Sequence, residues 1–75
     1  MSKEINLYTN TGCSKCKMLK RWLEMKGISY QELNIGEDDK ARQNLINKGY
    51  RQLPQIEIDG EIVEFVEYND ILEHI

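Results

Sequence analysis

Apolar and polar positions change period several times along the chain, and each change marks an element. Ile5-Asn6-Leu7-Tyr8 alternates and is rich in β-formers, predicting a strand over Glu4 to Thr9. Thr9-Asn10-Thr11-Gly12 is turn chemistry. Met18, Leu19, Trp22, Leu23 and Met25 then recur at helical spacing, predicting a helix over Ser14 to Lys26 with Gly27 as its stop. Ile28, Tyr30 and Leu33, with Ile35 beyond, predict a second strand over Ile28 to Asn34. Gly36-Glu37-Asp38-Asp39 puts acids where a helix N-terminus favours them, and Ala41, Leu45 and Ile46 mark a second helix ending near Lys48-Gly49. Gln55-Ile56-Glu57-Ile58 and Glu61-Ile62-Val63 flank Asp59-Gly60, the strongest short-range hairpin signal. Ile71, Leu72 and Ile75 predict a short amphipathic helix from Tyr68 to Ile75.

The predicted order is β-α-β-α-β-β-α, an α/β arrangement in one domain over residues 1–75. One layer packing satisfies it: a four-stranded mixed sheet with helices on both faces. The first two strands are parallel across their helical crossover, and the hairpin supplies the antiparallel edge. A chain of 75 residues buries only about 60 % of its unfolded surface, so the core is thin. Two cysteines three apart close too short a loop to staple it. Stability has to come from regular structure and apolar packing.

Composition then narrows the function. Met-Ser-Lys-Glu lacks the apolar stretch of a secretory signal, and no run reaches membrane-spanning length, so a cytoplasmic protein off the membrane is expected. The net charge is −3. Up to Tyr30 the bases Lys3, Lys15, Lys17, Lys20, Arg21 and Lys26 stand against Glu4 and Glu24. From Gln55 onward there are seven acids (Glu57, Asp59, Glu61, Glu64, Glu67, Asp70, Glu73) and no Lys or Arg. Two readings stand: ordinary solvated faces, or a polarised surface that orients a protein partner. Nucleic acid is not an expected partner, because no basic tract is interleaved with aromatics and the acidic half repels phosphate.

The candidate chemistry lies in Gly12-Cys13-Ser14-Lys15-Cys16, where the first strand hands over to the first helix. In a reducing compartment a Cys-x-x-Cys beside a βαβ pattern reads as a redox motif. The thiolate is the nucleophile. A cysteine in the first turn of a helix meets unpaired N–H groups and the positive dipole end, which favour the anion, and Lys15 and Lys17 add positive charge. In that reading Cys13, the more exposed, attacks a substrate disulfide, and Cys16 resolves the mixed disulfide. The competing readings are a structural disulfide and half of a zinc site. Compartment and loop length disfavour the first. The second has only His74 as a further soft ligand, so no metal is expected.

Pro54, the only proline, reads either as a strand-start proline or as a cis-proline beside the edge where Cys13 emerges. In the second case its neighbours would expose backbone for an extended substrate. Trp22 falls on the apolar stripe of the first helix and reads as core. Tyr8 reads equally as core edge or as site wall beside Gly12 and Cys13, and His74 as a surface residue near a fraying end.

Ile5-x-Leu7-Tyr8-Thr9 leading into Gly12-Cys13-x-x-Cys16, then Leu53-Pro54-Gln55-Ile56, then the Asp59-Gly60 hairpin and a last helix, together resemble the glutaredoxin family. The resemblance covers nearly the whole chain. It implies the thioredoxin fold, a cis Pro54 and thiol–disulfide oxidoreductase activity with no bound cofactor beyond the redox-active Cys13–Cys16 pair. Gly49-Tyr50-Arg51-Gln52-Leu53-Pro54 is similar to the Gly-Phe-Arg-Gln-Leu-Pro segment of the NrdH-type redoxins, hydrogen donors for ribonucleotide reductase. That likeness implies reduction of a protein disulfide by a redoxin recharged by thioredoxin reductase, and a monomer is expected. Gln52, Leu53 and Pro54 would dock substrate, and Lys15 would support the thiolate. The alternatives are a glutathione-dependent glutaredoxin and a non-catalytic binding module of the same fold. Against the glutathione-dependent pattern, Ser14 and Lys15 stand for Pro-Tyr, Gln52 for the Thr of Thr-Val-Pro, and Glu64-Phe65 for Gly-Gly. Bulk at Glu64-Phe65 and the charges of Glu64 and Glu67 oppose a carboxylate-bearing tripeptide. Against the NrdH pattern, Glu67 stands where those redoxins carry Arg.

Overall fold

The computed structural model describes residues 4–75. Its elements are β1 (Ile5–Thr9), α1 (Ser14–Met25), β2 (Gln31–Asn34), α2 (Asp39–Asn47), β3 (Gln55–Ile58), β4 (Glu61–Val63) and α3 (Tyr68–Leu72). They form one sheet in the order β2-β1-β3-β4. β1 pairs in parallel with β2 (Leu7 opposite Glu32) and antiparallel with β3 (Leu7 opposite Ile56), and β3 pairs antiparallel with β4. This is the thioredoxin fold the resemblance implies.

The period-2 alternation of β1 sorts the core into two layers. Ile5 and Leu7 point to one face, where Leu19 and Leu23 of α1, Ile56 and Ile58 of β3, Val63 and Ile71 of α3 pack with them. Tyr8 points to the other face, under Ala41 and Leu45 of α2. Helices therefore cover both sides of the sheet, and β1, hydrogen-bonded along both edges, is its buried spine.

The boundaries follow local chemistry. α1 and α2 end in the same way. Gly27 (φ +71) and Gly49 (φ +86) take the left-handed conformation just past each helix. Ile28 N–H then donates to the Leu23 carbonyl at 3.0 Å, and Tyr50 N–H to the Leu45 carbonyl at 3.2 Å. This is the Schellman closure, and in each case its apolar pair sits in one core layer. The closure also corrects one expectation. Ile28 is consumed in ending α1, so β2 begins only at Gln31 rather than at residue 28. At the other end of α2, Asp38 Oδ1 accepts from the Lys40 and Ala41 amides at 3.0 and 3.1 Å. Asp59 (φ 52) and Gly60 (φ +88) both carry the positive φ of a type I′ hairpin.

The apolar stripe of α1 is narrower than its periodicity predicts. Leu19 and Leu23 are buried and Trp22 packs partly against them, its ring 5.3 Å from that of Tyr68. Met18 and Met25 are 62 % and 75 % exposed, because they flank the contact stripe rather than lie on it. Helix α3 stops at Leu72 and leaves Ile75 exposed.

Glu57 departs from the reading of the C-terminal acids as solvated. It is buried on the α2 face, where the Lys48 ammonium pairs with it at 2.8 Å. The Asn6 amide and the Tyr8 hydroxyl also donate to its carboxylate, at 2.9 and 3.3 Å. The Tyr8 oxygen in turn accepts from Asn44 at 2.6 Å. Burial alone would raise the carboxyl's pKa, but the Lys48 and Asn6 donors outweigh it and hold Glu57 below the usual carboxylate value. Lys48, hydrogen-bonded to Glu57, is held above its usual value. A depressed acid stabilises the fold above its unfolded pKa and loses that contribution as pH falls through the folded one. Lys48→Met should therefore lower the unfolding free energy by about 1–2 kcal/mol at pH 7. The deficit should shrink as pH drops below the ordinary carboxylate range, as read by urea melts of both proteins at pH 7 and pH 3.

Candidate redox site

The site is built on the C-terminal end of β1. After Thr9 the chain turns through Asn10-Thr11-Gly12-Cys13, closed by Cys13 N–H donating to the Asn10 carbonyl at 3.3 Å. Gly12 sits at φ +80 in the third position of that turn, where a type II turn needs a residue free to adopt positive φ. Thr11 N–H donates to Asn10 Oδ1 at 2.8 Å, and Asn34 at the end of β2 donates to Thr11 Oγ1 at 3.3 Å. The turn is thus tied to the neighbouring strand, and it delivers Cys13 to the N-cap of α1.

Cys13 occupies that cap in extended conformation (φ −84, ψ 106), and its sulfur accepts the Cys16 N–H at 3.1 Å. The helix N-terminus therefore aims a backbone donor at the Cys13 sulfur, an arrangement that favours negative charge there. Cys13 is half-buried, whereas Cys16, one turn in, is 2 % exposed. The two form a disulfide with Cα atoms 5.3 Å apart. Lys15 and Lys17 are exposed beside them.

The Leu53–Pro54 peptide bond is cis. Because β1 and β3 are antiparallel with Tyr8 opposite Gln55, the start of β3 lies beside the end of β1. The sheet thereby brings Gln52, Leu53 and Pro54 to the same edge as Gly12 and Cys13. A cleft of about 260 Å³ opens there, lined by Tyr50, Gln52, Leu53, Pro54, Gln55, Glu64 and Phe65. A larger hollow, about 580 Å³, runs from Tyr50 and Glu64 along the hairpin past Asp59 and Glu61.

Tyr8 is not a wall of this site. It has no exposed surface, and its ring lies in the α2 layer with its hydroxyl in the Glu57 network, so it is core. Residues that sequence reasoning missed lie beneath the site. The hydroxyl of Thr9, 1 % exposed, donates to Glu32 at 2.8 Å, and Lys20 pairs with the same carboxylate at 3.1 Å. The Thr9 bond, with help from Lys20, keeps Glu32 below the usual carboxylate value. This chain of contacts fastens α1 to β2 directly behind the turn that carries Cys13. Its sequence signal was a lone Thr at a strand end, which patterning does not distinguish from an ordinary β-former.

Residues 5–63 match the family model described as Glutaredoxin. The chain belongs to the glutaredoxin family. The glutaredoxin-like protein NrdH of Lactococcus lactis subsp. cremoris (strain MG1363) is 34 % identical over 55 residues, spanning 73 % of this chain and 76 % of the relative. Among solved structures, the thioredoxin-like protein BC3987 superposes with a TM-score of 0.84 at 26 % identity, over 96 % of this chain and all of the other (100 %). The glutaredoxin-like NrdH-redoxin of Escherichia coli gives 0.81 at 26 % identity, over 93 % of this chain and 92 % of the other. With the Cys13–Cys16 pair in place, this glutaredoxin is a thiol–disulfide oxidoreductase. The difference in exposure between the two sulfurs has a direct chemical readout. After reduction, iodoacetamide should alkylate Cys13 at least about ten-fold faster than Cys16 near neutral pH, as followed by peptide mass spectrometry. Equal rates would contradict the geometry.

Proposed function

We propose that this glutaredoxin works as a single-domain, monomeric electron donor in the cytoplasm. It reduces protein disulfides by dithiol exchange, with ribonucleotide reductase as the partner and thioredoxin reductase as the source of electrons. The observation that carries the exchange mechanism is the half-exposed Cys13 at the N-cap of α1, its sulfur accepting the Cys16 amide while Cys16 lies sealed one turn inside.

The Cys13 thiolate attacks one sulfur of the target disulfide. A Cys13–target bond forms, and the other target sulfur leaves as a thiolate that takes up a proton. Cys16, deprotonated as it approaches, then attacks the Cys13 sulfur. The mixed disulfide breaks, the second target thiol is released, and two electrons have passed to the target with the Cys13–Cys16 disulfide as the oxidised product. Lys15 and the helix N-terminus support the thiolate. The backbone around Gln52, Leu53 and Pro54 receives an extended target segment alongside the sheet edge.

Two features favour thioredoxin reductase over glutathione. Glu64 and Phe65 line the cleft beside Pro54, where the glutathione-dependent pattern has Gly-Gly, and add bulk and negative charge to its wall. The Gly49-to-Pro54 segment follows the NrdH pattern, and NrdH proteins are among the relatives.

NADPH consumption with a protein disulfide substrate should proceed with thioredoxin reductase alone and fall to background with glutathione and glutathione reductase. Turnover only in the glutathione system would transfer the protein to the glutathione-dependent class. Cys13→Ser should abolish turnover, and Cys16→Ser should trap a covalent mixed disulfide with the target on a non-reducing gel. Full activity in Cys13→Ser would rule out the exchange mechanism.

A further inference from the structure

Among the described residues that line the cleft beside Pro54, one is charged. Tyr50, Gln52, Leu53, Pro54, Gln55 and Phe65 supply apolar surface and neutral polar groups, and Glu64 alone brings a formal charge. Its position is not arbitrary. The Tyr50 hydroxyl donates to Glu64 Oε1 at 3.4 Å, a long bond. The Tyr50 ring is itself anchored in the α2 core layer by the closure of that helix. Tyr50 and Glu64 thus bridge the two banks of the cleft, the segment leading to Pro54 and the segment leaving β4. Beyond Glu64 the adjoining hollow carries the carboxylates of Asp59 and Glu61, with His74 as the basic group on its lining. Lys15 and Lys17, in the first turns of α1 just after Cys13, are exposed.

From this arrangement we infer that Glu64 determines substrate specificity: the cleft beside Pro54 selects a target segment that carries a cationic residue, Lys or Arg, next to its disulfide. The inference rests on the proposed reduction of protein disulfides at Cys13 and deepens it by naming the chemistry of the segment. A segment laid along Gln52-Leu53-Pro54 passes between Cys13 and the Glu64 bank. A cationic side chain on the Glu64 side meets a carboxylate that Tyr50 holds in place. An anionic one meets like charge in a cleft with no base among its described lining residues. The pair is solvent-facing, so its effect is modest and screened by salt.

The test uses the full chain, reduced, against a matched set of short peptide disulfides. Each peptide carries Lys, Gln or Glu at the position immediately before or immediately after the target cysteine. The readout is kcat/KM with thioredoxin reductase recycling, measured at low ionic strength and again in high salt. On one side of the cysteine the wild type should prefer Lys over Gln and Gln over Glu, each by about two- to five-fold, the range an exposed ion pair supports. High salt should compress that order. Glu64→Gln should flatten it, and Glu64→Lys should invert it. Tyr50→Phe, which removes the hydroxyl but keeps the ring, should weaken the preference without changing its sign. Preservation of the Lys-to-Glu ratio in Glu64→Gln would overturn the inference, as would a wild-type preference for Glu on both sides of the cysteine. If the neutral Gln peptides are reduced at the same rate as the charged ones, the specificity assignment alone fails. If no peptide is reduced at all, the exchange mechanism fails and takes the specificity with it.

Discussion

The architecture depends on β1 being hydrogen-bonded along both edges while its side chains alternate into two separate cores. Five residues, Ile5–Thr9, do this. Ile5 and Leu7 seat α1 and α3, and Tyr8 seats α2. Thr9 ends the strand by reaching across to Glu32, which Lys20 of α1 also holds. A slip of one residue in the β1–β3 register would exchange the two faces, turning Glu57 toward the aliphatic layer and Ile56 toward the Lys48 network. Everything chemical hangs from the far end of this strand. Cys13 is four residues past it, and Pro54 immediately precedes the residue paired with Tyr8.

This placement explains how a domain with so thin a core holds a defined site. The α2 side of the sheet carries a satisfied polar network around Glu57. The cysteine end joins a type II turn, an N-cap and a proline-led strand start to side-chain ties, the Asn10, Thr11 and Asn34 bonds at the turn and the Thr9–Glu32–Lys20 contacts behind it.

Much of this was legible in the chain, for reasons that can be traced. The element order followed from period changes, and the turns from Gly27, Gly49 and Asp59-Gly60, whose conformations only a few residues tolerate. The cysteine pair was legible because a helix start is where a thiolate is cheapest to form. What failed were judgements that depend on which face of an element a neighbour covers. Met18 and Met25 share the helical period of Leu19 but lie outside its contact stripe. Glu57 follows the sign of the acids around it yet is buried, because Lys48 and Asn6, nine and fifty-one residues away, converge on it. Tyr8 left two readings open, since a residue at the end of a central strand can face either layer. Only the position of α2 decides between them.

One consequence of Cys13 being the N-cap reaches beyond the site. The Cys13 sulfur, the proposed nucleophile, is also the acceptor that closes the first turn of α1. A hydrogen bond to sulfur strengthens with the negative charge on it, so the cap is tightest in the thiolate and weaker once the sulfur is bonded to another. Anything that favours the thiolate in the folded chain over the unfolded one is, by thermodynamic linkage, the same quantity of fold stability. The electron-carrying state and the intactness of the first helical turn are therefore two readings of a single equilibrium.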